Sequence, residues 1–149
     1  MLVENRQTKV VLDIKATELC LENFLMQLKM QDWDIALIFV DSAESASLNQ
    51  QYRNKVGAAN VLSFPAQEFL PGEKPRPDED GLQDLGDIII CPEKVASDAL
   101  EWGIEFQENL ERMMAHGLLH LLGYDHQTDT EHATMTAMEE WLIGKKILE

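Results

Sequence analysis

Residues 104–126 read I-E-F-Q-E-N-L-E-R-M-M-A-H-G-L-L-H-L-L-G-Y-D-H, and the organisation of the chain turns on this segment. On a wheel advancing about 100° per residue, Leu110, Met114, Leu118 and Leu121 cluster on one side, which predicts a helix over Ile104–Leu122. From Met113 to Leu122 every residue is apolar or glycine except His116 and His120. These two stand four apart, so they share a helix face one turn apart, well away from the centre of the apolar stripe. Gly123 can take the left-handed backbone that ends a helix and reverses the chain, which carries His126 back toward the first two. Three of the chain's four histidines therefore converge. A lone histidine in such a stretch is ordinarily a satisfied core residue. Three at this spacing, with no obvious fourth protein ligand, match a catalytic zinc site, because a structural site closes all four positions. His132 stands outside the pattern and reads as a surface residue. Asp125 or Asp129 is the expected acceptor for the second ring proton of a ligand.

Working outward, Thr8–Ile14 reads as a strand and Thr17–Met30 as a helix, with Leu19, Leu21, Phe24, Leu25 and Leu28 at helical spacing. Asp34–Val40 is a continuous apolar and β-branched run suited to a buried central strand. Asp41 or Ser42 caps a helix ending near Arg53, Gly57 breaks the pattern, and Asn60–Phe64 is a short strand stopped by Pro65. Residues 65–84 form a long loop: Pro71, Gly72, Pro75, Pro77 and Gly81 alternate with acids, and mobility is expected there. Leu85–Cys91 reads as a strand, and Pro92 as the first residue of a helix to about Trp102. A last helix covers about Thr130–Ile147, with Met135, Met138, Trp141 and Leu142 at helical spacing. The prediction is a single α+β domain over residues 1–149. It has a small mixed sheet of four strands packed by about five helices, and a metal site at the end of a central helix.

Length and composition agree with one globular domain: 149 residues, 45% hydrophobic and 26% charged. Cys20 and Cys91 form no C-x-x-C pair and suggest neither a disulfide framework nor a cysteine zinc site. The N-terminus has no signal-peptide pattern, and Ile35–Val40, the longest strongly apolar run, is far too short to span a membrane. A soluble, reduced, cytoplasmic protein is expected. The net charge of −15 argues against non-specific nucleic-acid binding. It is uneven: residues 1–64 carry −2, residues 65–90 carry −5 and residues 91–149 carry −8. Glu101, Glu105, Glu108 and Glu111 read as a solvated acidic face. An anionic substrate would need a local basic spot, and Arg53 with Lys55 is the close basic pair near a motif.

The histidine spacing also matches the extended zinc-peptidase motif H-E-x-x-H-x-x-G-x-x-H, except that Gly117 replaces the glutamate that acts as general base. Peptide hydrolysis by that route is not expected. A metal at this site could still lower the pKa of a bound water to about 7 or polarise a phosphoryl or carbonyl oxygen.

The string H-G-L-L-H-L-L-G-Y-D-H resembles the signature of the YbeY family of zinc-dependent bacterial proteins linked to ribosomal RNA maturation. Tyr52–Pro65, Y-R-N-K-V-G-A-A-N-V-L-S-F-P, resembles the family's arginine segment and its following strand. Leu85–Glu93, L-G-D-I-I-I-C-P-E, resembles its L-G-D-I strand and helix start. The resemblance implies a single-strand-specific, zinc-dependent endoribonuclease acting in 3′-end maturation of 16S ribosomal RNA and in ribosome quality control. It implies His116, His120 and His126 as ligands of one zinc or other divalent transition-metal ion, and Arg53 and His116 as catalytic. It also implies single-stranded ribosomal RNA and small-subunit proteins or ribosome-associated factors as partners, and no membrane. Arg53 read alone could equally be a surface cation closing a helix at its negative pole. Its guanidinium also suits a phosphate, offering planar donors to two oxygens. One departure stands at Ala59, where the family commonly carries threonine. Ser63 either faces the cleft or serves the strand. Two competing readings are a metal hydrolase acting on amides or peptides, and a non-enzymatic ribosome-associated factor whose zinc only fixes the fold.

Overall fold

In the computed structural model, which describes residues 1–147, α4 (Phe106–Leu121) is the element around which the others assemble. Along the chain come β1 (Leu2–Asn5), α1 (Ile14–Gln27), β2 (Asp34–Phe39), α2 (Ser42–Arg53), β3 (Val61–Pro65), β4 (Asp84–Ile90) and α3 (Pro92–Trp102). After α4, α5 (Asp129–Ile143) completes the order. The strands form one mixed sheet in the order β1-β2-β4-β3. β1 and β4 both run parallel to β2, and β3 pairs antiparallel with β4, Ser63 lying opposite Ile88. This is the α+β arrangement with four strands and five helices. Residues 148 and 149, within the expected 1–149 domain, lie outside the described residues. No helix among the described residues is long and apolar enough to cross a membrane.

α4 packs against β3, β4, α3 and α5. Its burial is broader than the four-residue stripe: Met113, Ala115, Gly117 and Leu119 are buried as well. A helix apolar almost all round belongs inside a core. Ile35, Leu37 and Phe39 of β2 and Ile88 and Ile90 of β4 face the same core, alternating with less buried neighbours as strand geometry requires. Gly117 sits where α4 crosses the sheet. A Cβ there would meet Ile88 Cγ2 at 2.7 Å, Val61 Cγ2 at 3.1 Å and Ser63 Oγ at 3.3 Å. The Ser63 hydroxyl donates to the Gly117 carbonyl at 2.9 Å, fastening helix to strand. The peptidase glutamate is thus missing for a packing reason: the sheet occupies its place.

The strand expected over Thr8–Ile14 is not there. β1 lies earlier, at Leu2–Asn5, and Ile14 already opens α1. Capping decides the matter, since the Asp13 carboxylate accepts from Ala16 N at 3.0 Å and its carbonyl accepts from Thr17 Oγ1 at 2.9 Å. The Gln7 side chain meanwhile bonds both N–H and carbonyl of Val10, and Val11 points into solvent at 97% exposure. An apolar run read as a strand is a connector. α1 also stops at Gln27 rather than Met30, because Lys29 turns left-handed at φ 59°. α5 stops at Ile143, where Gly144 at φ 71° supplies its C-cap.

The acidic segment between β3 and β4 is held at several points. Phe69 meets Trp33 edge-to-face at 6.1 Å, Pro75 is buried, and Asp78 accepts from the N–H groups of Asp80 and Leu82.

Candidate metal centre

His116 and His120 lie in the last two turns of α4, and Gly123 at φ 95° turns the chain so that His126 returns to them. Nothing but glycine fits at that turn, because a Cβ would come within 2.0 Å of the Phe69 carbonyl oxygen. The three rings gather with centroids 4.6, 5.4 and 5.2 Å apart. One nitrogen from each lies within 4.8 Å of the others.

The outer nitrogens settle the ring orientations. His120 Nδ1–H donates to the Tyr124 carbonyl at 2.9 Å; a carbonyl only accepts, so the proton sits on Nδ1. His116 Nδ1–H donates to Glu139 Oε1 at 3.0 Å. Both Nε2 atoms are then lone-pair acceptors, and they face each other 3.1 Å apart. Two lone pairs at that distance need a positive charge between them. Burial first, then the neighbouring His116 and His126, pushes the His120 pKa down to about 4, so a proton is poorly held there near neutrality. A divalent ion fits the donor set. Two nitrogens bound tetrahedrally at roughly 2.0–2.1 Å would lie about 3.3 Å apart.

The carboxylate behind the site is Glu139, not Asp125 or Asp129. Asp125 accepts the backbone N–H of His126 at 2.8 Å and so shapes the loop, while Asp129 is exposed at the start of α5. Glu139 is buried at 4% exposure, with Arg112 Nε 3.9 Å from its other oxygen. Its signal was in the sequence: it lies four residues after Met135 and three before Leu142, a lone carboxylate on the apolar face of α5. His132 is exposed on α5.

The histidines open into a cleft of about 750 Å³, whose other wall is built from the end of α2 and from β3. Arg53 is the last residue of α2, closed by Asn54 in left-handed conformation, and both Arg53 and Lys55 line the cleft. The loop between α2 and β3 is pinned from behind. Asn49 Nδ2 donates to the Gly57 carbonyl at 2.9 Å, and buried Ser45 bonds both N–H and carbonyl of Ala59 through its hydroxyl at 2.9 Å. Asn60, also on the wall, donates to Asp98 Oδ2 at 3.1 Å. Ser63 lines the cleft, but its hydroxyl is committed to α4. Among the described residues Asp125 is the single carboxylate residue in the lining.

Comparison with known proteins adds to this geometry. A family model described as endoribonuclease YbeY matches residues 2–146. The chain is similar to endoribonuclease YbeY of Bartonella quintana (strain Toulouse), with 40% identity over 139 residues, 92% of this chain and 83% of that one. It is similar also to endoribonuclease YbeY of Thermobifida fusca (strain YX), with 37% identity over 111 residues, 74% of this chain and 70% of that one. A solution structure from Thermotoga maritima superposes with a TM-score of 0.60 and 26% identity, covering 97% of this chain and 90% of the other.

Proposed function

The chain belongs to the YbeY family of endoribonucleases, and on that basis we propose a single-strand-specific, zinc-dependent endoribonuclease acting in 3′-end maturation of 16S ribosomal RNA and in ribosome quality control. Its place of work is the cytoplasm, among ribosome precursors. Its partners are single-stranded ribosomal RNA and small-subunit proteins or ribosome-associated factors, basic proteins being suited to a chain of net charge −15.

The observation that carries this reading is the convergence of three imidazoles in one cleft with Arg53 and Lys55. His116, His120 and His126 would hold the ion, which when bound supplies Lewis-acid charge for phosphoryl chemistry. The Arg53 guanidinium binds the non-bridging phosphate oxygens and neutralises the charge that grows on them as the phosphorus gains a fifth substituent. Glu139 keeps the His116 ring turned with Nε2 toward the cleft. Gly117 offers no base, so Asp125 is the carboxylate of the cleft wall that can take a proton. The same absence weighs against amide or peptide hydrolysis, since a glutamate at position 117 would collide with β3 and β4.

The test is cleavage of single-stranded RNA and of ribosomal particles carrying unprocessed RNA, by wild type, His116→Ala and Arg53→Ala. Both variants should lose cleavage by roughly 100-fold or more, the size of a lost electrostatic contact in a transition state. Full activity in a variant with all three histidines changed to alanine would sink the proposal. Intact RNA processing in cells carrying Arg53→Ala, together with unfolding on metal removal, would favour a factor whose zinc serves only the fold.

A further inference from the structure

Two aromatic rings share the cleft wall with the cations, and the metal centre makes no use of them. Tyr52 is the penultimate residue of α2 and Phe64 lies on β3; both line the cleft that holds Arg53, Lys55 and the three histidines. Their rings meet edge-to-face, 5.1 Å apart at an interplanar angle of 73°. Such a contact covers at most one face of either ring. Tyr52 is nevertheless 58% exposed, so an aromatic face beside Arg53 stands open to solvent inside a cleft. Neither residue is free to drift: Asn54 closes α2 two residues after Tyr52, and Phe64 is held in register opposite Asp87 of β4.

Resting on the ribonuclease reading above, we propose that Tyr52, buttressed by Phe64, is the platform on which a base of the RNA stacks, next to the phosphate bound by Arg53. The occupant follows from the neighbours. A purely apolar ligand would not need two cations on its wall, and a free phosphate would not need an aromatic face. A nucleotide unit of a single strand carries both a π-face and an anion, and only an unpaired base can lay its face on a protein ring. The platform therefore gives a physical reason for rejecting duplexes: in paired RNA the faces are occupied by neighbouring bases.

The experiment compares wild type, Tyr52→Leu and Tyr52→Phe, all metal-loaded, on single-stranded oligonucleotides and on the same oligonucleotides with one abasic position moved along the strand. Tyr52→Leu should raise KM roughly 5- to 100-fold, as loss of one stacked base does, with kcat much less affected. Tyr52→Phe, which keeps the ring, should restore KM. Wild type should show one abasic position that raises KM by a similar factor, and Tyr52→Leu should be indifferent to that position. A role limited to covering Phe64 would change thermal stability without producing this position-specific loss. If wild type cleaves the strand and Tyr52→Leu has an unchanged KM, or remains sensitive to the same abasic position, the platform is overturned and the ribonuclease reading stands. If wild type neither binds nor cleaves the strand, both fall.

Discussion

At His120 the backbone hydrogen bond and burial pull in opposite directions, and burial wins. Its Nδ1 proton is committed to the Tyr124 carbonyl, and burial beside two other imidazoles holds its pKa down near 4, against 6.5 for a free histidine. Between those values the unfolded chain binds a proton that the folded, metal-free protein does not. Stability therefore falls as pH drops from about 6.5 toward about 4 and is insensitive to this group above that window. His120 should contribute about 1–2 kcal/mol of that loss once solvent screening is discounted. Urea unfolding of metal-free wild type and His120→Asn at pH 7 and pH 5 checks it: the variant should lose less stability on acidification. Glu139 is the second residue whose part is separable. Glu139→Ala leaves the His116 ring without its acceptor and should weaken zinc binding about 10- to 100-fold, read by competition with a chromophoric chelator. Glu139→Gln, whose amide oxygen can still accept, should lose less. Equal affinity in all three proteins would mean that the hydrogen bond does not orient the ligand.

At the scale of elements, the site depends on how α4 ends and on what crosses it. Gly123 has φ 95°, and the Phe69 carbonyl of the acidic loop presses where a side chain would begin. Gly123→Ala should lower stability by about 2 kcal/mol or more, since it adds an overpacked contact to a backbone conformation that alanine rarely adopts. It should also weaken metal binding, because the turn delivers His126. Thermal unfolding and a zinc titration of the same sample test both; a fully stable variant with unchanged affinity would show that the loop yields easily. α5 is set independently of that turn. Thr128 and Glu131 form a reciprocal capping box at its start, and Glu139 is carried ten residues further along the same helix. The histidine pair and its carboxylate thus come from two helices that meet side by side. Much of this level was readable from sequence: the helix bounds Pro92–Trp102 and the Asp41 cap of α2 follow from proline and capping chemistry. Where the reading failed, at Thr8–Ile14, an apolar run of β-branched residues outweighed the cap signal at Asp13.

Across the whole molecule the three-histidine cluster lies at the margin of a core that does not include it. Leu21, Phe24, Leu37, Phe39, Ile88, Leu110, Met114 and Leu118 belong to the buried apolar core, whereas His116 and His120 are half-buried and His126 is exposed. Chelation should therefore abolish RNA cleavage while leaving far-UV circular dichroism unchanged at neutral pH. Parallel loss of both signals would assign the ion to the fold. The charge distribution makes a second expectation. The molecule carries −15 overall, yet among the described residues its cleft presents Arg53 and Lys55 against one carboxylate residue, Asp125. Binding of single-stranded RNA should accordingly show a shallow salt dependence, a log–log slope of about −1 to −2, at roughly −0.7 per phosphate neutralised. Arg53→Ala and Lys55→Ala should each flatten it by about 0.7. A slope steeper than about −4 would require a further basic surface.

The sequence by itself determined the three-histidine cluster and the elements that carry it, because both rest on near-neighbour chemistry. Histidines four apart on a helix share a face whatever else the chain does, and a glycine directly after an apolar run ends the helix through its own backbone freedom. The tertiary structure alone decided what stands behind and across from those histidines. Glu139 reaches His116 from 23 residues away, Phe69 closes on Gly123 across the acidic loop, and β3 takes the space a glutamate at position 117 would need. Tyr52 and Arg53 come to face the histidines only because α2 and β3 form the wall opposite the end of α4. Such contacts depend on sheet order and helix packing, which no local pattern of residues encodes.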